Sequence, residues 1–140
     1  MRRQTLLMRF EPKATPPAGD PPGFTVTTDA ATVTLLEGDG GGLPTVASYE
    51  THVTMTGKTT FVEEGTLTFD TAGDGLRLST VGEGLLEPSA EEGALQGSVI
   101  WRAEGIGSYA GTSGLITSNF VFEPERGTAS EHQVARLFLP

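Results

Sequence analysis

Helical periodicity is hard to find along this chain. Few stretches of ten residues lack a Gly, a Pro or a cluster of β-branched residues, so long helices are disfavoured. What recurs instead is a β-prone run closed by a turn signal. Such runs predict strands over Gln4–Glu11, within Phe24–Glu37 with a break near Asp29, and over Val46–Thr56, Thr59–Thr71, Gly75–Leu86, Ala94–Glu104, Gly114–Glu123 and Ser130–Leu139. Two irregular stretches, Pro12–Gly23 with its five prolines and the glycine-rich Gly38–Pro44, are expected to be mobile loops.

Eight strands joined by short turns predict an all-β meander closed into a single eight-stranded antiparallel barrel, because closure removes both unpaired edges. A two-sheet sandwich is the rival. A barrel of eight strands is just wide enough for a packed core or for one small ligand. The 140 residues suit one domain, with enough chain to bury one core and too little for two.

Two hairpins sort side chains into faces. Gly57-Lys58 reads as a two-residue type II′ turn, which places Val53 opposite Val62, His52 opposite Glu63 and Thr51 opposite Glu64. A Gly73-Asp74 turn places Asp70 opposite Arg77, Phe69 opposite Leu78 and Glu64 opposite Glu83. Strand parity then gathers Phe61, Leu67, Phe69, Leu76 and Leu78, with Gly65, Gly82 and Gly84, on the apolar and therefore inner face. His52 and Glu63 point inward with them. Tyr49, Val53, Met55 and Val62 point outward, which calls for a partner surface and predicts a homo-dimer or homo-trimer.

Composition mostly excludes. Nine basic against eighteen acidic residues give a net charge of −9, which argues against nucleic acid and anionic membranes as partners. Without cysteine there is no disulfide, thiolate nucleophile or sulfur-ligated metal. The only histidines, His52 and His132, form no metal motif, and Glu91-Glu92 or Glu63-Glu64 cannot encircle Ca²⁺ alone. No metal and no cofactor are expected. Near the N-terminus the longest apolar run, Leu6-Leu7-Met8, stops at Arg9. That is short of a signal peptide's apolar region or a membrane span, so a cytoplasmic location is expected.

The most distinctive text is Gly105-Ile106-Gly107-Ser108-Tyr109-Ala110-Gly111-Thr112-Ser113-Gly114. A dinucleotide-binding loop would need a helix after it, and here the Thr/Phe/Val run Ile116–Phe122 follows. The text resembles the G-x-G-x-(Y/F)-x-G-x-x-G hairpin of allene oxide cyclase-like barrels, a superfamily that includes the dirigent proteins. Ser118-Asn119-Phe120 resembles a small bacterial branch of it. Strand count and chain length are similar to the ring-forming barrels of spirotetronate polyketide biosynthesis. The resemblance covers about Tyr49 to Leu139 and implies a calycin-type barrel that works without a cofactor. The glycines themselves are expected to be structural, supplying positive φ and close strand approach. By parity with those cyclases, Ile116, Ser118, Phe120 and Phe122 share a face, with Ser118 in a slot that they fill with an aromatic residue. On the preceding strand Leu95, Val99 and Trp101 point inward, away from Gln96, Arg102 and Glu104.

His52 opposite Glu63 is the first catalytic expectation, since a carboxylate beside an imidazole fixes its tautomer and raises its basicity. The plainer alternative is an exposed cross-strand pair. Glu64 opposite Glu83 is a second acid pair, which on an outer face would only repel weakly through water. Phe61, Phe69, Leu78, Trp101, Ser118, Phe120 and Phe122 are the expected substrate-binding residues, or plain core if the barrel is filled. Tyr109 is expected to cover an end of the barrel and His132 to be solvated. Together with the resemblance, this predicts a cofactor-independent cyclase or isomerase for an apolar, polyketide- or lipid-like small molecule. The proline- and glycine-rich loops would serve as lids. A non-catalytic carrier or sensor of a hydrophobic ligand is the alternative, and a solid structural oligomer a third; an interior with no pocket above a few waters would exclude both ligand readings.

Overall fold

The computed structural model describes residues 1–140. Its strands are β1 (Arg2–Phe10), β2 (Lys13–Ala14), β3 (Gly23–Thr27), β4 (Ala31–Gly38), β5 (Val46–Met55), β6 (Thr60–Thr68), β7 (Gly75–Thr80), β8 (Gly84–Pro88), β9 (Leu95–Ile106), β10 (Ser113–Glu123) and β11 (Thr128–Leu139). Three pairs of these are halves of longer strands. Pro12, which has no N–H for the ladder, divides β1 from β2. The expected break at Asp29 divides β3 from β4, and Gly82, with φ of +70°, divides β7 from β8. Eight staves result.

Each stave pairs antiparallel with its neighbours, and β1 closes the ring on β11 from Arg2↔Leu139 to Phe10↔Glu131. The all-β barrel expected from the strand pattern is therefore the fold, and no edge is left to aggregate. No helix is long and apolar enough to cross a membrane. Inward side chains from every stave merge into one cluster that includes Leu6, Met8, Leu67, Leu76, Trp101 and Ile116.

The inner wall of β6 and β7 carries Phe61, Leu67, Phe69, Leu76 and Leu78, as the alternation predicts. The opposite assignment for β5 is overturned. The β5–β6 turn is wider than two residues: the Thr56 and Gly57 amides both donate to the Thr60 carbonyl, at 3.0 and 3.3 Å. Met55 then faces Phe61, Val53 faces Glu63 and His52 faces Glu64, one residue off the expected register. A slip of one inverts every side chain of a strand. Tyr49 and Val53 are thus buried, His52 is exposed on the outer wall, and the outward apolar patch that pointed to a dimer or trimer does not form.

The β6–β7 register is also displaced, by four residues, so Gly65 rather than Phe69 faces Leu78. An even shift keeps the faces. Glu64 now faces Ser79, while Glu83 accepts a hydrogen bond from Thr56, so the expected Glu64–Glu83 pair is not made. Asp70, instead of meeting Arg77, accepts from the Thr45 and Val46 amides at 2.9 Å each.

One end of the barrel is sealed. Gln4 Nε2 donates to the Asp39 and Gly41 carbonyls at 2.7 and 3.1 Å, tying down the 38–44 loop there. Tyr109 packs on Phe69 at the same end, ring centres 4.8 Å apart. Its glycine corner is structural as expected: Gly107 has φ of +64°, and a Cβ on Gly105 would lie 1.8 Å from the Tyr109 carbonyl oxygen.

Candidate functional site

The other end is hollow. A cavity of about 60 Å³ opens between the Pro12 and Ala14 segment, Phe24 and Val26 of β3, Tyr49 and Val53 of β5, Phe61 and Glu63 of β6, Leu86 of β8, Phe120 and Phe122 of β10, and Ala129 and Glu131 of β11. Ten of these thirteen residues are hydrophobic, so the two carboxyls stand out. Two glycines make the aromatic walls possible. A Cβ on Gly84 would lie 2.3 Å from the Phe61 ring, and one on Gly97 the same distance from the Phe120 ring. The rings lie over neighbouring strands because those strands present no side chain there.

Glu63 and Glu131 reach the cavity from β6 and β11, and both are almost wholly buried, at 7% and 3% exposure. Each has two donors behind it. The Thr51 hydroxyl donates to Glu63 Oε2 at 2.5 Å and the Trp101 indole N–H to Oε1 at 3.2 Å. The Tyr49 hydroxyl donates to Glu131 Oε1 at 2.6 Å and the Ser118 hydroxyl to Oε2 at 2.5 Å. Gln133, next inward on β11, leans toward Glu131 and favours its charge without reaching hydrogen-bond geometry.

Burial dominates the titration of both acids. It pushes Glu63 up to about 7, aided by the charge of Glu131 and opposed by the Thr51 and Trp101 hydrogen bonds. Burial raises Glu131 as well, against the bonds from Ser118 and Tyr49. Tyr49 is driven well above its ordinary value by burial and then by the two glutamates, so it remains a donor. A buried carboxyl that titrates near neutrality can both give and take a proton at physiological pH.

Of the residues expected at the site, Glu63, Phe61, Phe120 and Phe122 line the cavity, while Trp101 and Ser118 stand behind the glutamates as donors. His52 does not meet Glu63; it lies in a shallow threonine-rich groove on the outer wall. Leu78 is plain core and Phe69 belongs to the sealed end. Glu131, Tyr49, Thr51 and Phe24 were missed. A signal for three of them exists: Ala47, Tyr49, Thr51 and Val53 share one parity, and Glu131 shares that of Ala135, Leu137 and Leu139. No three His, Asp or Glu side chains converge as metal ligands.

Gly84→Ala should drive the Phe61 ring toward the cavity and fill part of it. Overpacking of this kind costs about 1–3 kcal/mol. Thermal unfolding would read that cost, and a crystal structure with Phe61 unmoved would contradict the packing argument.

No protein-family model matches the chain, and no curated protein matches its sequence. Among solved structures it is similar to a pterocarpan synthase dirigent protein, with a TM-score of 0.47 and 14% identity over 99% of this chain and 92% of that one. A likeness of that size carries no argument about chemistry, which rests on the cavity's own residues.

Proposed function

We propose that this barrel is a cofactor-independent isomerase or cyclase of the cytoplasm, related to the allene oxide cyclase-like barrels. It takes the polar end of an apolar small molecule into its open mouth. The observation that carries the reading is the pair of buried glutamates at the base of an otherwise apolar cavity. Glu63 would give or take the proton that an isomerisation or ring closure relocates, with Glu131 as its counterpart; such proton transfer contributes about 10²–10⁴-fold to rate. Phe61, Phe120 and Phe122 would hold the reacting end, while Trp101 and Ser118 act through the glutamates as positioning residues. About 60 Å³ is several times the roughly 10–15 Å³ that one water needs but less than a whole substrate, so the rest of the substrate lies across the mouth. The proline-rich stretch supplies Pro12 and Ala14 to that mouth, whereas the glycine-rich loop is at the sealed end and is no lid for it.

A carrier or sensor is the second reading, favoured by the predominantly apolar lining. One experiment separates the two. Purified protein is incubated with organic-extractable metabolites, and retained and released compounds are analysed by chromatography and mass spectrometry. Isomerase or cyclase action yields a compound of unchanged mass and new retention time, formed at least about a hundredfold more slowly by Glu63→Gln. A compound retained and released unaltered supports the carrier. If nothing is retained, both readings fail.

A further inference from the structure

The two glutamates lack the partner that buried carboxylates ordinarily have. Neither takes part in an ion pair, and none of the nine Lys and Arg residues lines the cavity. His132, next to Glu131 in sequence, is exposed on the outer wall, and its charge is the smallest of the influences that lower the Glu131 pKa. A buried carboxylate without a cation is unfavourable unless hydrogen bonds replace hydration. Here four wall donors do so, from Thr51, Trp101, Tyr49 and Ser118.

That arrangement limits what a ligand can be. The Trp101 N–H can only donate and is committed to Glu63, and the three hydroxyls direct their hydrogens to the acids. No donor among these four is left for a ligand's carbonyl or ether oxygen. Each carboxylate oxygen, by contrast, keeps a lone pair beyond the one its wall donor occupies. Gln133, whose buried amide has no partner, is not among the lining residues, so with the acids ionised the cavity floor is rich in acceptors and poor in donors. Around it stand five aromatic residues, Phe24, Phe61, Phe120, Phe122 and Tyr49. Aromatic rings attract a cation through their quadrupoles and give apolar contact to its alkyl substituents.

Acceptors below, aromatic rings at the sides and no positive charge among the lining residues complement one chemistry. We propose that the group entering the cavity is a protonated amine on an apolar body, a lipophilic ammonium ion. This rests on the reading of the mouth as the ligand site and names the class of molecule that the site takes. A cavity of about 60 Å³ fits an ammonium head with its first carbons, and the apolar body then lies between Phe24 and Phe122. Burial, joined at Glu63 by the charge of Glu131, holds both acids toward their neutral forms. An ammonium ion would supply the missing countercharge, and the protons would leave to solvent.

Trp101 is the sole tryptophan and touches Glu63, so its fluorescence reports on the floor. Phenylbutylammonium and phenylbutanol share one body and differ in the charge of the end group. Both are titrated against the full chain at neutral pH and low ionic strength, with amide chemical shifts of the cavity residues as a second readout. The ammonium should bind at least about tenfold more tightly than the alcohol, as expected for a desolvated cation among carboxylates and rings. In the Glu63→Gln, Glu131→Gln double variant the preference should fall to within about twofold. Equal binding of the two probes by the wild type would overturn the ammonium proposal and leave the mouth as a ligand site. A preference that persists in the double variant would also overturn it, tracing the attraction to the acidic surface. If neither probe moves either signal, the proposal and the ligand-site reading fall together. The wild-type comparison needs no variant to fold.

Discussion

Between about pH 4.5 and pH 7 the wild-type barrel should lose stability as the pH rises, and the Glu63→Gln variant should lose much less. Burial raises the Glu63 pKa from 4.5 to about 7, so in this window the folded chain holds a proton that the unfolded chain has released. Stability then falls with pH, because the folded state binds more protons. The contribution is fully present below the unfolded value and is lost through the folded one. A gap of that size corresponds to roughly 3 kcal/mol at 1.36 kcal/mol per unit. Glu131 is shifted in the same direction and adds to the slope. Glutamine mimics the protonated acid: its carbonyl can accept from Trp101 and its amide can donate to the Thr51 oxygen. The variant should therefore match the wild type near pH 4.5 and exceed it at pH 8. Urea unfolding across this range measures the difference directly. Parallel pH profiles for the two proteins would show that Glu63 is not held in an apolar environment.

Trp101→Ala, by contrast, should destabilise the barrel by about 3–5 kcal/mol, the range for removing a large aromatic side chain from a core. The ring is 1% exposed, sits edge-on to Tyr49 with centres 5.2 Å apart, and carries the N–H that meets Glu63. Trp101→Phe separates packing from the hydrogen bond. A hydrogen bond to a charged group contributes about 1.5–3 kcal/mol and a neutral one about 0.5–1.5. The phenylalanine variant should thus lose more stability at pH 8, where Glu63 is ionised, than at pH 5. Because the indole bond lowers the Glu63 pKa, removing it should also move that titration upward. Equal losses at both pH values would mean that the indole does not serve the carboxylate.

These two effects meet at the same place for a topological reason. The cavity needs a stave from each part of the chain: β2 and β3 from its start, β5 and β6 from its middle, β10 and β11 from its end. Glu63 belongs to a strand whose inward parity Phe61, Leu67 and Phe69 make legible. The Gly57-Lys58 turn signal pairs His52 with Glu63, whereas the loop formed is one residue longer and pairs His52 with Glu64. The alternation of β5 itself was the better guide, since Ala47, Tyr49 and Val53 share a parity that His52 does not. A local turn signal and a strand-long pattern disagreed, and burial of four side chains outweighed the preference of one loop.

The number and order of the strands, the interruption at Asp29 and the inner face of β6 and β7 are written in the sequence by itself. They depend on alternation, turn residues and proline, which act over a few positions. The tertiary structure alone decided the registers of both hairpins, the hollow end and the sealed one, and the approach of Glu63 and Glu131. Those depend on how far each strand slides along its partner and on which staves meet when the ring closes. Two buried acids on separate strands are, in sequence, only two glutamates among eighteen acidic residues. Closing the barrel removes them from water together, and that shared burial raises the pKa of both.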